Sequence, residues 1–192
     1  MALLIAGLII FLGVHSVRIF ANDWRTAQIA KIGPRVWKGG YALLSLIGFV
    51  LIVYGYGLAR QTPVVLYTTP AWTRHAAALL TLVAFVMIAA AYVPETHIKA
   101  RIRHPMIAGV KVWAVAHLLA NGTLADVILF GSFLAWAILN YSAALRRDRA
   151  ANVGYVVGRM SRDMTAVAIG AITWVVFTFW LHAWWIGVRP LG

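Results

Sequence analysis

Two histidines, His15 and His117, fall inside long apolar stretches. An ionisable side chain is costly there and is a functional candidate by default. His15 stands in Gly13-Val14-His15-Ser16, and His117 closes Trp113-Ala114-Val115-Ala116-His117. A third, His182, lies in the aromatic stretch near the C-terminal end. Imidazole is a common axial ligand of haem iron, and a helix bundle is a natural frame for one. The plainer reading is an imidazole that hydrogen-bonds a neighbouring helix. Two embedded imidazoles in a chain with only five acidic residues favour nitrogen ligation over that reading. A di-iron site would need carboxylates that are missing. Structural zinc would need histidine pairs at close helical spacing, and none occurs. The chain has no cysteine, which excludes disulfides, thiolate chemistry and iron–sulfur clusters.

His75, His97 and His104 sit at the ends of apolar blocks. Water is expected to satisfy His75 and His97. His104 has a more specific setting, Arg103-His104-Pro105-Met106-Ile107-Ala108-Gly109. Pro105 opens a helix, and Gly109 one turn later lets a ligand or a neighbouring backbone come close. The free N–H groups of that first turn, with Arg101, Arg103 and His104, suggest an anion or cofactor site. Lys111 is expected to snorkel to the surface. Trp184 and Trp185 suit an interfacial belt. Trp174, Phe177 and Trp180 share a helical face suited to core packing or to a wall for a flat apolar ligand.

The elements that position these groups are set by hydropathy. Apolar residues make up 62% of the 192 residues and charged residues 11%, a balance no soluble domain can cover. The apolar residues come in blocks of bilayer length, predicting one all-α transmembrane domain over residues 1–192. Spans are expected at about Ala2–Phe20, Gly39–Leu58, His75–Val93, Pro105–Ala120, Leu124–Leu145 and Thr165–Val188, with an interfacial helix over Arg146–Met164. The fourth is short, since about 16 residues give roughly 24 Å against a ~30 Å hydrocarbon core.

The net charge of +12 is distributed as a topology signal rather than a nucleic-acid surface. Arg25, Lys31, Arg35, Lys38, Lys99, Arg101, Arg103, Arg146, Arg147, Arg149, Arg159 and Arg162 fall in the loops after the first, third and fifth spans, whereas the opposite side holds Arg60, Arg74 and Arg189. The positive-inside rule puts the basic loops in the cytoplasm, both termini outside, and the basic side chains against anionic lipid. On this topology His15 lies roughly 8 Å and His117 roughly 18 Å from the inner boundary. That offset of about 10 Å excludes an upright porphyrin held by both and requires a tilted one. An outer set of His75, His117 and His182 is an alternative, and His117 belongs to both.

Several of these residues together resemble the NnrU family of bacterial membrane proteins: His15-Ser16, Arg103-His104-Pro105-Met106, Trp113 followed by His117, and Asn121-Gly122 ahead of Phe130-Gly131. The likeness runs over nearly the whole chain. It implies a multi-pass protein of the bacterial inner membrane, associated with denitrification and with nitrite and nitric oxide reduction. It also implies kinship with zeta-carotene isomerase, a haem b membrane enzyme. That relative's histidine-serine pair and tryptophan-x-x-x-histidine segment map its proposed haem ligands onto His15 and His117. Ala114 stands where the relative has an alternative cysteine ligand.

The Arg-His-Pro motif with its following glycine also resembles isoprenylcysteine carboxyl methyltransferases, where it helps bind S-adenosylmethionine. Their later glutamate pair is replaced here by Arg146-Arg147-Asp148-Arg149. Three functions are therefore in view: a haem b protein acting on nitrogen oxides or isomerising a polyene, a membrane methyltransferase, and a non-enzymatic assembly factor for a respiratory reductase.

Overall fold

A computed structural model describes residues 1–191, and it is helical, with no β-strand among them. Hydrocarbon surroundings demand this, because every backbone N–H and C=O has to be satisfied within its own segment. The elements are α1 (Ala2–Phe20), α2 (Asn22–Ile32), α3 (Pro34–Ala59), α4 (Trp72–Tyr92), α5 (His97–Ile102), α6 (Pro105–Ala120), α7 (Leu124–Ala150), α8 (Met160–Val176) and α9 (His182–Ile186), with the π-helical turn Phe177–Leu181 joining the last two. Five segments are long and apolar enough to cross a membrane: α1, α3, α4, α7 and the continuous run Met160–Ile186. Helix α6 is apolar but shorter.

Packing divides the bundle. α1 lies along α3, α4 lies along α6 and α8, and α7 stands between the groups, touching α1 and α6. Small residues let α1 and α3 meet backbone to backbone. A Cβ on Gly48 would lie 2.7 Å from the Phe11 nitrogen, and one on Gly7 would lie 2.6 Å from that of Ile52. In lipid such close van der Waals contact replaces the hydrophobic drive that water provides. Gly109 serves the same purpose between α6 and α4, since its missing Cβ would meet the Ala84 carbonyl at 3.0 Å. α1 and α6 do not approach each other directly. Trp113 and Ala114 nevertheless share one apolar cluster with Leu4, Leu8 and Phe11. Large side chains span that gap.

The short α6 is sheltered at its far end. The link between α3 and α4 folds over it, and Tyr67 donates its hydroxyl to the carbonyls of Leu118 (2.5 Å) and Asn121 (2.8 Å). The Leu66 N–H donates to Gly122 O at 2.8 Å. Terminal carbonyls that a longer helix would carry to water are thus satisfied by protein.

The basic end departs from expectation in three ways. The first basic loop is a helix, α2, broken from α3 by Gly33 at a positive φ of 85°. α3 starts at Pro34, several residues before Gly39, because proline suits a first helical turn. The interfacial helix expected over Arg146–Met164 is absent. α7 runs on to Ala150, a non-helical strap follows, and α8 begins at Met160. Asn152 at a positive φ of 48° turns the chain out of helix. The strap is then tied down instead, with Val153 N–H on Asp148 O at 3.0 Å and Arg159 N–H on Glu95 O at 2.9 Å.

Candidate functional site

His15 projects from the basic half of α1 into the space between α3 and α7. Its ring stacks on Phe11 with centroids 4.2 Å apart. Tyr41 of α3 lies 5.1 Å away on one side, and Trp136 of α7 stands edge-on at 6.1 Å on the other. Nδ1 lies 2.6 Å from the Phe11 carbonyl. A carbonyl only accepts, so Nδ1 carries the proton and Nε2 presents its lone pair. Among the described residues that lone pair has no protein partner. The Trp136 indole N–H is also enclosed without an acceptor. An orphaned buried donor costs about 1–3 kcal/mol and is rare in native interiors.

His117 is built the same way on α6. Its Nδ1–H donates to the Trp113 carbonyl at 2.8 Å, which again leaves Nε2 as the free acceptor. The ring stacks on the buried Phe130 at 4.5 Å and leans on Trp113 at 4.9 Å. The two imidazoles are joined by a run of rings, with Phe133 lying 5.8 Å from Phe11 and 5.5 Å from Trp113.

A backbone-tied Nδ1 with a free Nε2 is the form in which histidine ligates a metal, so the donor set suits haem iron. The levels do not suit an upright porphyrin held from both sides, and an offset of this size requires a tilted one. The partners Trp136 and Phe130 are six residues apart along α7, a rise of about 9 Å. The two imidazoles stand a level apart along the aromatic wall. The outer trio is not gathered: no group of three or more histidines or acidic residues that could hold a metal ion occurs among the described residues. His75 is exposed, and His182 donates Nδ1–H to the Val188 carbonyl at 2.7 Å.

Trp174, Phe177 and Trp180 do not share a face, because the π-turn shifts the register after Val176. Trp174 donates to Thr81 at 3.0 Å and Phe177 packs 5.7 Å from Phe85, whereas Trp180 is exposed.

Asp126 is the embedded group that sequence reasoning missed. It is buried near the non-basic end of α7, where its Oδ1 accepts from Tyr56 OH at 2.5 Å. Its Oδ2 accepts from the Thr123 N–H at 3.0 Å and the Thr123 hydroxyl at 2.6 Å. The sequence signal was Thr-x-x-Asp ahead of an apolar run, a capping box. Tyr56 is also edge-on to Phe130 at 6.4 Å, so this network braces the ring under His117.

At the basic end His97 is not simply hydrated. Its Nδ1–H donates to Asp163 at 2.6 Å, since α8 begins alongside α5. His104 donates Nε2–H to Asp148 at 2.7 Å, and Tyr155 of the strap donates its hydroxyl to the same carboxylate oxygen. Burial and that hydrogen bond push the Tyr155 hydroxyl up to about 12, so it remains a donor at neutral pH. Arg103 lies over the Tyr155 ring at 5.5 Å. Lys111 caps the Tyr141 ring at 3.7 Å. An acid of the chain itself thus engages His104.

Fold and site together define a multi-pass helical membrane protein whose embedded chemistry is two tautomer-fixed imidazoles on one aromatic wall. The chain belongs to the NnrU family: the family model described as NnrU protein matches residues 3–190. No match was found among curated proteins or among solved structures.

Proposed function

We propose that this is a haem b protein of the NnrU type in the bacterial inner membrane, serving nitric oxide and nitrite reduction. The observation that carries the proposal is His15: Nδ1 is held by its own helix and Nε2 is free, in a setting of aromatic rings that includes Trp136. On this reading His15 would hold the haem iron through Nε2, and His117 is the second histidine of the same wall. When bound, a haem would supply a redox-active iron able to take a small ligand such as nitric oxide. The chain's own residues fix the imidazole tautomer, exclude water with Phe11, Phe133 and Trp113, and keep carboxylates away from the iron. The same run of rings favours a second reading, redox-gated isomerisation of a flat polyene, because stacked aromatic faces suit such a ligand. The basic loops would face the cytoplasm and both termini the outside, following the charge distribution.

The visible spectrum of protein purified from haem-replete cells tests the proposal. A Soret band with about one haem per chain is expected. Protein that stays colourless even after haem is added overturns it.

A further inference from the structure

A cleft of about 430 Å³ opens at the basic end between α5 and the start of α8, lined by His97, Ile98, Arg101, Ile102, Met160 and Asp163. One carboxylate builds it. Asp163 accepts from the His97 Nδ1–H at 2.6 Å and from the Ile98 N–H at 3.3 Å, which fastens the first turn of α5 to α8. Arg101 stands four residues past His97, on the same face of α5. The strap backbone seats on this short helix too, since a Cβ on Gly158 would collide with the His97 backbone. The wall of the cleft is apolar, made by Ile98, Ile102 and Met160. The charge at its edge is unmatched. Among the described residues the ion pairs are His97–Asp163, His104–Asp148 and Arg159–Glu95, so the exposed Arg101 has no carboxylate within ion-pair distance. Asp163, the one acid in the cleft, has each oxygen taken by α5. Exposed apolar side chains continue outward from the cleft, Met160 and Met164 on α8 and Val156 and Val157 on the strap. The run Met160–Ile186 is long and apolar enough to cross a membrane, so the cleft sits where that span enters the bilayer.

We infer that this cleft binds one anionic phospholipid, with its phosphate on Arg101 and its glycerol and first acyl carbons against Ile98, Ile102 and Met160. Such a site is independent of the haem reading. Guanidinium pairs with a phosphate through two parallel N–H bonds, and its weak hydration suits it to a membrane boundary. A soluble anion would use the arginine and leave the apolar wall wet. A zwitterionic lipid would cover the wall, but its own cation competes with Arg101 for the phosphate. An anionic phospholipid satisfies both parts of the cleft. The excess of arginine and lysine on this side marks the leaflet as the anionic, cytoplasmic one.

Native mass spectrometry of the full chain, released from phosphatidylcholine nanodiscs doped with phosphatidylglycerol, tests the site. One phosphatidylglycerol per chain should be retained, enriched about tenfold over its share of the bilayer, the scale of a charge-assisted hydrogen bond. Arg101→Gln should remove most of that enrichment. Arg101 is exposed, so the variant keeps the fold, and an unchanged thermal midpoint verifies it. Arg25→Gln, on α2, removes the same charge elsewhere at the basic end and should leave retention unaltered. Excess inorganic phosphate should not displace the lipid. Retention of the two lipids in proportion to the bilayer overturns the inference. An equal fall in R101Q and R25Q also overturns it, because that pattern marks diffuse attraction to the whole basic surface. Displacement by phosphate does so as well, a soluble anion then being the occupant.

Discussion

His15 and His117 lie against the same helix at two levels: His15 is edge-on to Trp136, and His117 is stacked on Phe130 six residues earlier in α7. The offset of about 9 Å along α7 agrees with the roughly 10 Å expected from counting residues down α1 and α6. Both histidines have Nδ1 tied to the carbonyl four residues back, so their chemistry is equivalent and their level is what separates them.

That separation makes the two alanine variants behave differently. His15→Ala should abolish stoichiometric haem. His117→Ala should leave haem content near that of the parent while altering the position or intensity of its absorption bands. Equal loss of haem in both variants, read from pyridine haemochrome content, would show that one iron is held from both sides.

Orientation can be checked separately from any cofactor. A reporter fused after Leu191 should read as periplasmic and one inserted near Arg149 as cytoplasmic, following the excess of arginine and lysine on one side. The opposite pattern at both positions would overturn the topology, though not the helix count.

Much of this architecture was legible because membrane helices declare themselves through length and hydropathy. The boundaries Ala2–Phe20, Pro105–Ala120 and the start at Leu124 follow from the apolar blocks and from Pro105 and Asn121-Gly122. The two imidazoles stood out for the same reason, being polar where polarity is costly. What could not be read was the pairing of distant polar groups. The partnership of Asp148 with His104 spans 44 residues, and that of His97 with Asp163 spans 66. No local pattern announces either one. The expected helix over Arg146–Met164 failed on the same ground, since the tertiary ties of Tyr155 and Arg159 override the propensity of the segment. Asp126 was overlooked because a capping box looks the same whether its acid is wet or buried.

The close crossing of α1 and α3 predicts a sharp contrast between glycines. Gly48→Leu would push a side chain into the Phe11 backbone and should cost about 3 kcal/mol or more, seen as a lower midpoint in detergent thermal unfolding. Gly57→Ala, on the same helix with open space around it, should be neutral or stabilising by up to about 1 kcal/mol. Similar midpoints for the two variants would mean that α1 and α3 do not pack this closely.

The strap between α7 and α8 offers the last prediction. It is held by Tyr155 on Asp148, by Arg159 on Glu95 through an ion pair at 3.2 Å, and by the Arg159 N–H on the Glu95 carbonyl. The Asp148 carboxylate also carries His104, so one side chain fastens the strap to the start of α6. Asp148→Ala removes both hydrogen bonds and leaves His104 and Tyr155 without their acceptor. The Asp148 side chain is 17% exposed, so water compensates part of the loss, and about 1 kcal/mol is a reasonable scale. Local opening should therefore rise several-fold. Trypsin reports it directly, because Arg149, Arg159 and Arg162 flank the strap. Cleavage there should quicken in Asp148→Ala, and more weakly in Tyr155→Phe, which spares the His104 bond. An unchanged cleavage rate in Asp148→Ala would mean that the Glu95–Arg159 end alone holds the strap.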